Sequence, residues 1–359
     1  MARAPTDRIP LHTAILPMLG LGAWLVIGKA GLEPIALALA AILLGNVIAA
    51  VHHAEVVALR VGEPYGTLVL ALSVTIIEAG LIISIMLSGE PQPTLLRDSL
   101  QAVVMLVLHG LAGLCIVVGA LRERESPFQV GGAQAFLAVL IPMATLVLIL
   151  PNDVVSAPGP FYTTLQLAFA SAACLALYIA FLFIQTNWHR CYFLPVGVEG
   201  MAEHDRPTGW LALASLGLLL LALLSVVLLA KSLAPALDAG LEAVGAPHAI
   251  AGVIIAAVVL LPETSAAVRA AARNQLQASI NLALGSAVAS IGLTVPAVAL
   301  VSSWIGQPLE LGISPGASLL MALGFLVAVI TYGTGKTNLL SGIVHLVLLS
   351  TYVFTIFAP

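Results

Sequence analysis

The sequence predicts an all-α integral membrane protein with about eleven transmembrane helices. Of its 359 residues, 60% are hydrophobic and only 8% are charged, whereas soluble domains carry roughly 25% charged residues. Apolar runs of about 20 residues, the length that crosses a bilayer, alternate with short connections that hold nearly all of the Lys and Arg. We therefore expect the lipid bilayer to surround most of the chain and no sizeable soluble domain to be present.

Charged residues, Pro and Gly separate the apolar runs and define eleven predicted helices. The first follows a short segment with Arg3 and Arg8, but no clear small-residue cleavage site comes after it. That pattern favours a retained helix over a cleaved signal peptide. The predicted ranges are 11–28, 33–57, 66–88, 99–121, 133–150, 162–185, 209–230, 248–268, 278–304, 313–331 and 338–357.

The basic residues of the connections predict the orientation. With the N-terminus in the cytoplasm, ten of the 13 basic residues fall on one side of the membrane and three on the other. Cytoplasmic loops carry an excess of Lys and Arg, so this asymmetry supports an odd number of spans. The larger group is Arg3, Arg8, Arg60, Arg122, Arg124, Arg190, Arg206, Arg269, Arg273 and Lys336, and the smaller is Lys29, Arg97 and Lys231.

The longest connection predicts the domain organisation, because it divides the last ten helices into five and five. A block of five helices that occurs twice must repeat with inverted orientation, the arrangement in which many transporters build a midplane site. We expect an N-terminal helix (1–30), a first five-helix repeat (31–186), a cytoplasmic loop (187–208) and a second repeat (209–359). The third and eighth helices each carry one Glu in a run rich in small residues.

Glu78 is the first candidate functional residue, about twelve residues from each end of its predicted helix. At about 1.5 Å per residue its carboxyl group lies near the bilayer centre. An ionised carboxylate there costs at least a few kcal/mol, so Glu78 must be protonated, paired or in contact with a cation. Ser73 and Thr75 add oxygens nearby, and Thr75 is the better placed to share its face. The alternative is a protonated Glu that holds two helices together.

Glu263 is the second candidate and directly follows Pro262. Proline removes a backbone donor, and carbonyls freed in broken helices often coordinate cations in transporters. The alternative is a Glu at a helix end paired with Arg269. Two carboxylates at one depth would repel each other and hold protons until a cation displaces them. Such competition between ion and proton for the same oxygens is the binding equilibrium of an antiporter.

Several motifs resemble those of a known family. Arg-Val-Gly-Glu-Pro-Tyr-Gly-Thr-Leu (60–68), followed by Glu78, is similar to the first signature of the calcium/proton exchanger family of the calcium/cation antiporter superfamily. Leu-Pro-Glu (261–263), Asn-Leu-Ala-Leu-Gly-Ser (281–286) and Thr-Val-Pro (294–296) resemble its second. With Val-His-His-Ala-Glu (51–55) and Thr-Gly-Lys-Thr-Asn (334–338), the sequence most resembles the bacterial sodium-calcium/proton antiporters.

The resemblance implies that Glu78 and Glu263 bind the transported Ca²⁺ or protons, and that the second and seventh helices slide between inward- and outward-open states. It also implies a bacterial inner-membrane location. One departure concerns the amide ligands: the family often has Gly-Asn shortly before each Glu, but no Asn stands at 73–77 or 259–262. The resemblance matches Ser286 and Ser290 to family ligands, although the spacing from Glu263 is longer than in most relatives.

Other polar residues are weaker candidates. By the resemblance, Glu55 and Glu63 are vestibule acids that attract cations, although Glu63 could equally stabilise a helix N-terminus. His109 occupies roughly the place of a polar ligand in the first repeat, or is a hydrogen-bonded structural histidine. Asn46 and Asn281 are candidates to line the ion path.

The sequence also excludes other classes. Neither Gly-x-Ser-x-Gly nor His-Glu-x-x-His occurs, so we expect neither an enzyme nor a cofactor. The absence of a basic cluster argues against a nucleic-acid partner. We therefore expect export of Ca²⁺, and of Na⁺ or K⁺ as well, in exchange for protons. A mainly monovalent (Na⁺ or K⁺)/proton antiporter is the alternative, and a passive channel would not need two isolated carboxylates.

Overall fold

The computed structural model describes residues 9–27, 35–62, 65–87, 92–193 and 207–358. These residues are almost entirely helical. The α-helices are α1 (Leu11–Ile27), α2 (Ala36–Val61), α3 (Tyr65–Met86), α4 (Leu95–Met105), α5 (Ala112–Ala120), α6 (Val130–Ala144), α7 (Thr164–Phe183), α8 (Gly209–Ala243), α9 (Ala249–Ala271), α10 (Leu276–Ala289), α11 (Val295–Ile305), α12 (Pro315–Gly333) and α13 (Leu339–Phe357). Two short strands, β1 (Ser126–Pro127) and β2 (Lys336–Thr337), pair in antiparallel orientation.

Among the described residues, four π-helical segments extend these helices or join them into longer spans. They are Leu106–Leu111, Thr145–Ile149, Ile184–Trp188 and Ser290–Thr294. Through two of them α4 and α5 form one span, Leu95–Ala120, and α10 and α11 form another, Leu276–Ile305. Each of the eleven predicted helices is present.

Within the described ranges, ten helices are long and apolar enough to cross a membrane. The eleventh, α1, has 17 residues, at the lower limit of what spans a bilayer. The predicted all-α integral membrane fold is therefore confirmed, and the chain is a multi-pass membrane protein.

Several helix boundaries differ from the prediction, among them those of α8 and α4. Helix α8 continues to Ala243 rather than ending near residue 230, so Lys231 lies inside the helix instead of in a connection. The segment after Lys231 is rich in Ala and Leu, which are strong helix formers, and its Pro235 does not end the helix. Helix α4 begins at Leu95 rather than residue 99, so Asp98 falls in its first turn, where the helix dipole favours an acid.

The helices group into two compact units, the first of which comprises Met1–Pro91 and Glu199–Gly245. Helices α1, α2, α3 and α8 belong to it, and α2 and α8 pack together most extensively. A small residue also brings α1 close to this pair: Gly20 of α1 lies against Asn46 of α2 and Ser225 of α8. Glycine and serine are characteristic of helix contacts in membranes, because they let backbones approach closely.

The second unit comprises Gln92–Val198 and Ala246–Pro359. In it α4 packs against α9, α5 against α13, α6 against α10 and α12, and α7 against α11. Glycines again mark the closest approach: a Cβ atom built on Gly342 of α13 would lie 3.0 Å from the carbonyl oxygen of Gly113 in α5.

Contacts between connections agree with the predicted sidedness. Strands β1 and β2 pair two connections that were both predicted to be cytoplasmic. Arg60 Nη1, in the last turn of α2, donates to the Pro207 carbonyl before α8, 3.4 Å away. On the opposite side, Glu310 N donates to Pro93 O at 3.0 Å and Asn152 Nδ2 donates to Ile313 O at 2.7 Å. These bonds join only connections that an eleven-span topology places on the same side.

Candidate functional site

Glu78 lies in α3, and its side chain is completely buried. The two neighbouring hydroxyl groups are buried as well and donate to carbonyls of their own helix. Ser73 Oγ lies 2.7 Å from Val69 O, and Thr75 Oγ1 lies 2.9 Å from Ala71 O. These bonds use the hydroxyl protons and leave oxygen lone pairs available as acceptors or cation ligands.

Helix α3 is held firmly against α8 just beyond Glu78. A Cβ atom built on Gly80 would lie 2.7 Å from Val227 Cγ2 of α8. One turn later Ser84 Oγ donates to the Val227 carbonyl at 3.1 Å. A close glycine contact and an interhelical hydrogen bond therefore fix the part of α3 that carries the carboxylate.

Glu263 lies in α9, and its side chain is half-buried. Pro262 stands inside this helix and has no N–H to give to the carbonyl one turn before it. Ser265 Oγ donates to the Pro262 carbonyl at 2.8 Å. The predicted combination is therefore present: a carboxylate next to a proline that withholds one helical hydrogen bond. Arg269 follows in the last turn of the same helix.

The two glutamates have equivalent positions in their helices. Each stands eight residues before its helix ends, Glu78 before Met86 and Glu263 before Ala271. A π-helical segment follows each at nearly the same interval, beginning at Leu106 and at Ser290. This agreement supports a two-repeat organisation, although the proposed repeat boundaries themselves stay a prediction.

His109 lies in the first of these π-helical segments and is completely buried in the second unit. Its Nδ1 atom lies 2.8 Å from Nδ1 of His345 in α13, and the two rings stack with centroids 5.1 Å apart. Its Nε2 atom faces Gly324 of α12. The predicted polar residue of the first repeat therefore pairs with a second histidine. The sequence could not reveal this pair, because 236 positions separate its two members.

The predicted serines of the second repeat lie near the other π-helical segment. Ser290 is its first residue and is buried, and Ser286 stands one turn earlier in α10. Ser286 Oγ is a buried atom without a hydrogen-bond partner among the described residues. A buried hydroxyl of this kind can serve as a ligand oxygen.

The two asparagines are engaged with backbone carbonyls. Asn46 Nδ2 donates to Ile42 O of its own helix at 2.8 Å. Asn281 Nδ2 donates to Phe193 O at 2.5 Å, and its Oδ1 accepts from Gln277 Nε2 at 2.9 Å. Asn281 therefore ties α10 to the segment that follows α7, and its place in the ion path stays a prediction.

The predicted vestibule acids lie near one end of α2. Glu55 is exposed on that helix, one turn before Arg60. Glu63 lies outside the described residues. The placement of Glu55 agrees with a cation-attracting position at a membrane surface, a role that stays a prediction.

The chain is similar to known proteins over most of its length. A model of the sodium/calcium exchanger protein family matches residues 33–187 and 214–358. The protein y4hA of Sinorhizobium fredii, whose name describes an ionic transporter, is 47% identical over 321 residues, which are 89% of this chain and 86% of that one. The sodium-potassium/proton antiporter ChaA of Escherichia coli is 33% identical over 352 residues, which are 96% of this chain and 95% of that one.

More distant similarities point in the same direction. A Ca²⁺/H⁺ antiporter of Aphanothece halophytica is 26% identical over 281 residues, 72% of this chain and 74% of its own. The crystal structure of the H⁺/Ca²⁺ exchanger CAX superposes with a TM-score of 0.72 at 15% identity, covering 96% of this chain and 87% of that one, so the two share a fold. With a family model that spans far more than half of its residues, the chain belongs to the sodium/calcium exchanger family.

Proposed function

We propose that this protein is a secondary active antiporter that exports cations, Ca²⁺ first among them, in exchange for protons. The observation that carries the proposal is the pair of glutamates at equivalent positions of two membrane-spanning helices, in a chain of this transporter family. The proposal places the protein in the inner membrane of a bacterium, because the relatives from Sinorhizobium fredii and Escherichia coli are bacterial.

The burial of Glu78 supports a carboxylate that changes partners. An ionised carboxylate at this depth costs at least a few kcal/mol, so a proton or a cation must neutralise it. If either can do so, cation binding at Glu78 releases a proton, and proton binding releases the cation. The same exchange at Glu263 couples the flow of cations to the flow of protons, and no other reaction is needed.

The preference for Ca²⁺ rests on ligand chemistry. Ca²⁺ binds six to eight oxygens, carboxylates and carbonyls among them. We propose that each glutamate serves as a charged ligand within its own unit, Glu78 with hydroxyl oxygens of Ser73 and Thr75, and Glu263 with those of Ser286 and Ser290. The carbonyl that Pro262 leaves without its helical donor is a further candidate ligand.

A mainly monovalent antiporter is the second candidate, and one observation favours it. The relative ChaA of Escherichia coli, 33% identical over nearly its whole length, is by name a sodium-potassium/proton antiporter. The absence of an Asn shortly before either glutamate points the same way, because it removes amide oxygens that would complete the ligand set of a Ca²⁺ ion.

Alternating access is the proposed mode of transport, with α2 and α8 as the moving pair. Their extensive packing in one compact unit, together with α1 and α3, supports movement of these helices as one body. Glu78 belongs to that unit through α3, so its carboxylate would move with the pair.

The experiment is a proton-flux assay in everted vesicles, with Ca²⁺, Na⁺ and K⁺ added in turn at several pH values. We expect each transported cation to dissipate the pH gradient, with Ca²⁺ effective at the lowest concentration. A response to Na⁺ and K⁺ alone would favour the monovalent alternative. Cation flux that follows the membrane voltage without a pH gradient would contradict antiport.

A further inference from the structure

The histidine pair of the second unit lies in a chain of hydrogen bonds. His109 Nδ1 and His345 Nδ1 are 2.8 Å apart, and His345 Nε2 lies 3.1 Å from Thr331 Oγ1 of α12. Both imidazoles are completely buried, and Thr331 is nearly so. The chain therefore links the π-helical segment Leu106–Leu111 to α13 and α12 through side chains that can each donate and accept a proton.

The proton count of this chain allows two arrangements. Two neutral imidazoles carry two protons on four nitrogens, and one of these protons must lie between the facing Nδ1 atoms. The other is either on His345 Nε2, where it donates to Thr331 Oγ1, or on His109 Nε2. In the second arrangement His345 Nε2 accepts from the Thr331 hydroxyl instead, so both arrangements satisfy the contacts that are seen.

The other end of this series of hydrogen bonds is His109 Nε2. His109 Nε2 is a buried atom without a hydrogen-bond partner among the described residues. It faces Gly324, where a Cβ atom would overlap the imidazole, so the absence of a side chain at that position makes room for the ring. A buried polar nitrogen without a partner costs about 1–3 kcal/mol, and in the first arrangement the lone pair of this nitrogen can accept a proton.

The chain of hydrogen bonds leads from the membrane interior toward one surface. His109 stands eleven residues before the end of α5 at Ala120, about 16 Å at 1.5 Å per residue. Thr331 stands only two residues before the end of α12 at Gly333, next to the connection that forms β2. This is the side that carries Arg122, Arg124 and Lys336, which we predict to be cytoplasmic.

We propose that His109, His345 and Thr331 form a proton relay of the antiporter, which passes incoming protons toward the cytoplasmic side; the role rests on the function proposed above. A proton binds to His109 Nε2, the proton on His109 Nδ1 moves to His345 Nδ1, and the proton on His345 Nε2 passes to Thr331 Oγ1, whose hydroxyl releases its own proton toward the cytoplasmic side. One N–H bond forms at the entrance for each that breaks at the exit. Reorientation of the protonated groups then restores the first arrangement.

The side-chain hydrogen bonds of the relay join the π-helical segment to α13 and α13 to α12. Helix α9, which carries Glu263, also packs against the π-helical segment. The Tyr332 ring lies with its centroid 6.2 Å from the His345 ring. The other titratable groups on the elements that pack against the π-helical segment are Arg97, Asp98, Cys115, Glu263, Arg269 and Tyr352.

Two transport modes of the purified protein in liposomes test the relay. The first is cation uptake driven by a pH gradient, and the second is exchange of labelled for unlabelled cation at equal pH, which moves no net proton. We expect His345→Gln and Thr331→Val to slow the first by about tenfold or more, as the loss of a positioned proton carrier does, and to leave the second within about twofold. Thr331→Ser keeps the hydroxyl and should retain both modes.

The matched control is Thr351→Val, because Thr351 is exposed on α13 and its hydroxyl bonds only to its own helix, at Val347 O, among the described residues. It should retain both modes. An equal loss of both modes in Thr331→Val, or of neither, would overturn the relay. A wild-type protein without proton-driven uptake would instead contradict the proposed function, so the two failures can be told apart.

Discussion

Gly252 of α9 packs directly against Asp98 of α4. A Cβ atom built on this glycine would lie 2.7 Å from the Asp98 carbonyl carbon and 2.7 Å from the Ser99 nitrogen, closer than real Cβ atoms approach backbone. Glu263 follows about three turns later in the same helix. The contact therefore sets how close α9 comes to its neighbour and with it the position of the carboxylate.

Gly252→Ala should destabilise the protein by about 1–3 kcal/mol, because the added methyl group meets backbone that cannot move aside as a side chain can. The measurement is thermal unfolding in detergent. Gly217→Ala is the matched control, because nothing lies within 4 Å of a Cβ atom at that position of α8 and alanine favours a helix. Equal unfolding temperatures for the two variants would contradict the close contact.

Arg97→Met should lower the stability by about 1–3 kcal/mol. The Arg97 guanidinium donates to Asp98 Oδ1 at 2.9 Å and to Glu310, and it lies 3.4 Å from the Gly312 carbonyl. Asp98 is buried, so the substitution leaves its carboxylate without this counterion. Chemical unfolding in detergent measures the change.

The comparison variant for Arg97 is Lys336→Met. Lys336 Nζ lies 3.1 Å from Glu125 Oε2, but both side chains of this pair are more than half exposed. Exposed ion pairs contribute about 0–1 kcal/mol, so this variant should unfold close to the wild type. A larger loss for Lys336→Met than for Arg97→Met would contradict the ranking by burial.

Gln277→Leu should destabilise the second unit by about 1–3 kcal/mol. The buried Gln277 amide accepts from the backbone N–H of Gln129 at 2.6 Å and donates to Asn281 Oδ1 at 2.9 Å. Leucine fills the space but leaves both groups unsatisfied. Gln129→Leu is the control, because only the backbone of Gln129 takes part in this contact, and it should unfold near the wild type. The same loss for both variants would mean that side-chain volume, rather than the amide, explains the effect.

The sequence predicted the helices and the depth of Glu78 because both depend on local composition. Each apolar run is long enough to cross the bilayer, and a carboxylate far from the ends of such a run must lie deep. The extension of α8 beyond residue 230 was missed because Lys231 and Pro235 suggest a connection, whereas the Ala and Leu between and after them favour a helix.

What the sequence could not predict depends on contacts between distant residues. His109 was a candidate, but its partner His345 and the facing Gly324 belong to helices more than 200 residues away. The hydrogen bonds of Asn281 also depend on packing, since Phe193 precedes it by 88 residues. The ligand roles of Glu78 and Glu263 stay predictions, although their equivalent positions in α3 and α9 support them.

The most direct test of the central claim is proton-driven Ca²⁺ uptake into everted vesicles by Glu78→Gln and Glu263→Gln. Glutamine keeps the shape of the side chain but can neither ionise nor exchange a proton for a cation. We expect uptake to fall to the background of empty vesicles in both variants, while the amount of folded protein in the membrane matches the wild type. Glu125→Gln, an exposed carboxylate in a connection, should transport normally. Uptake that persists in both glutamine variants would contradict the account.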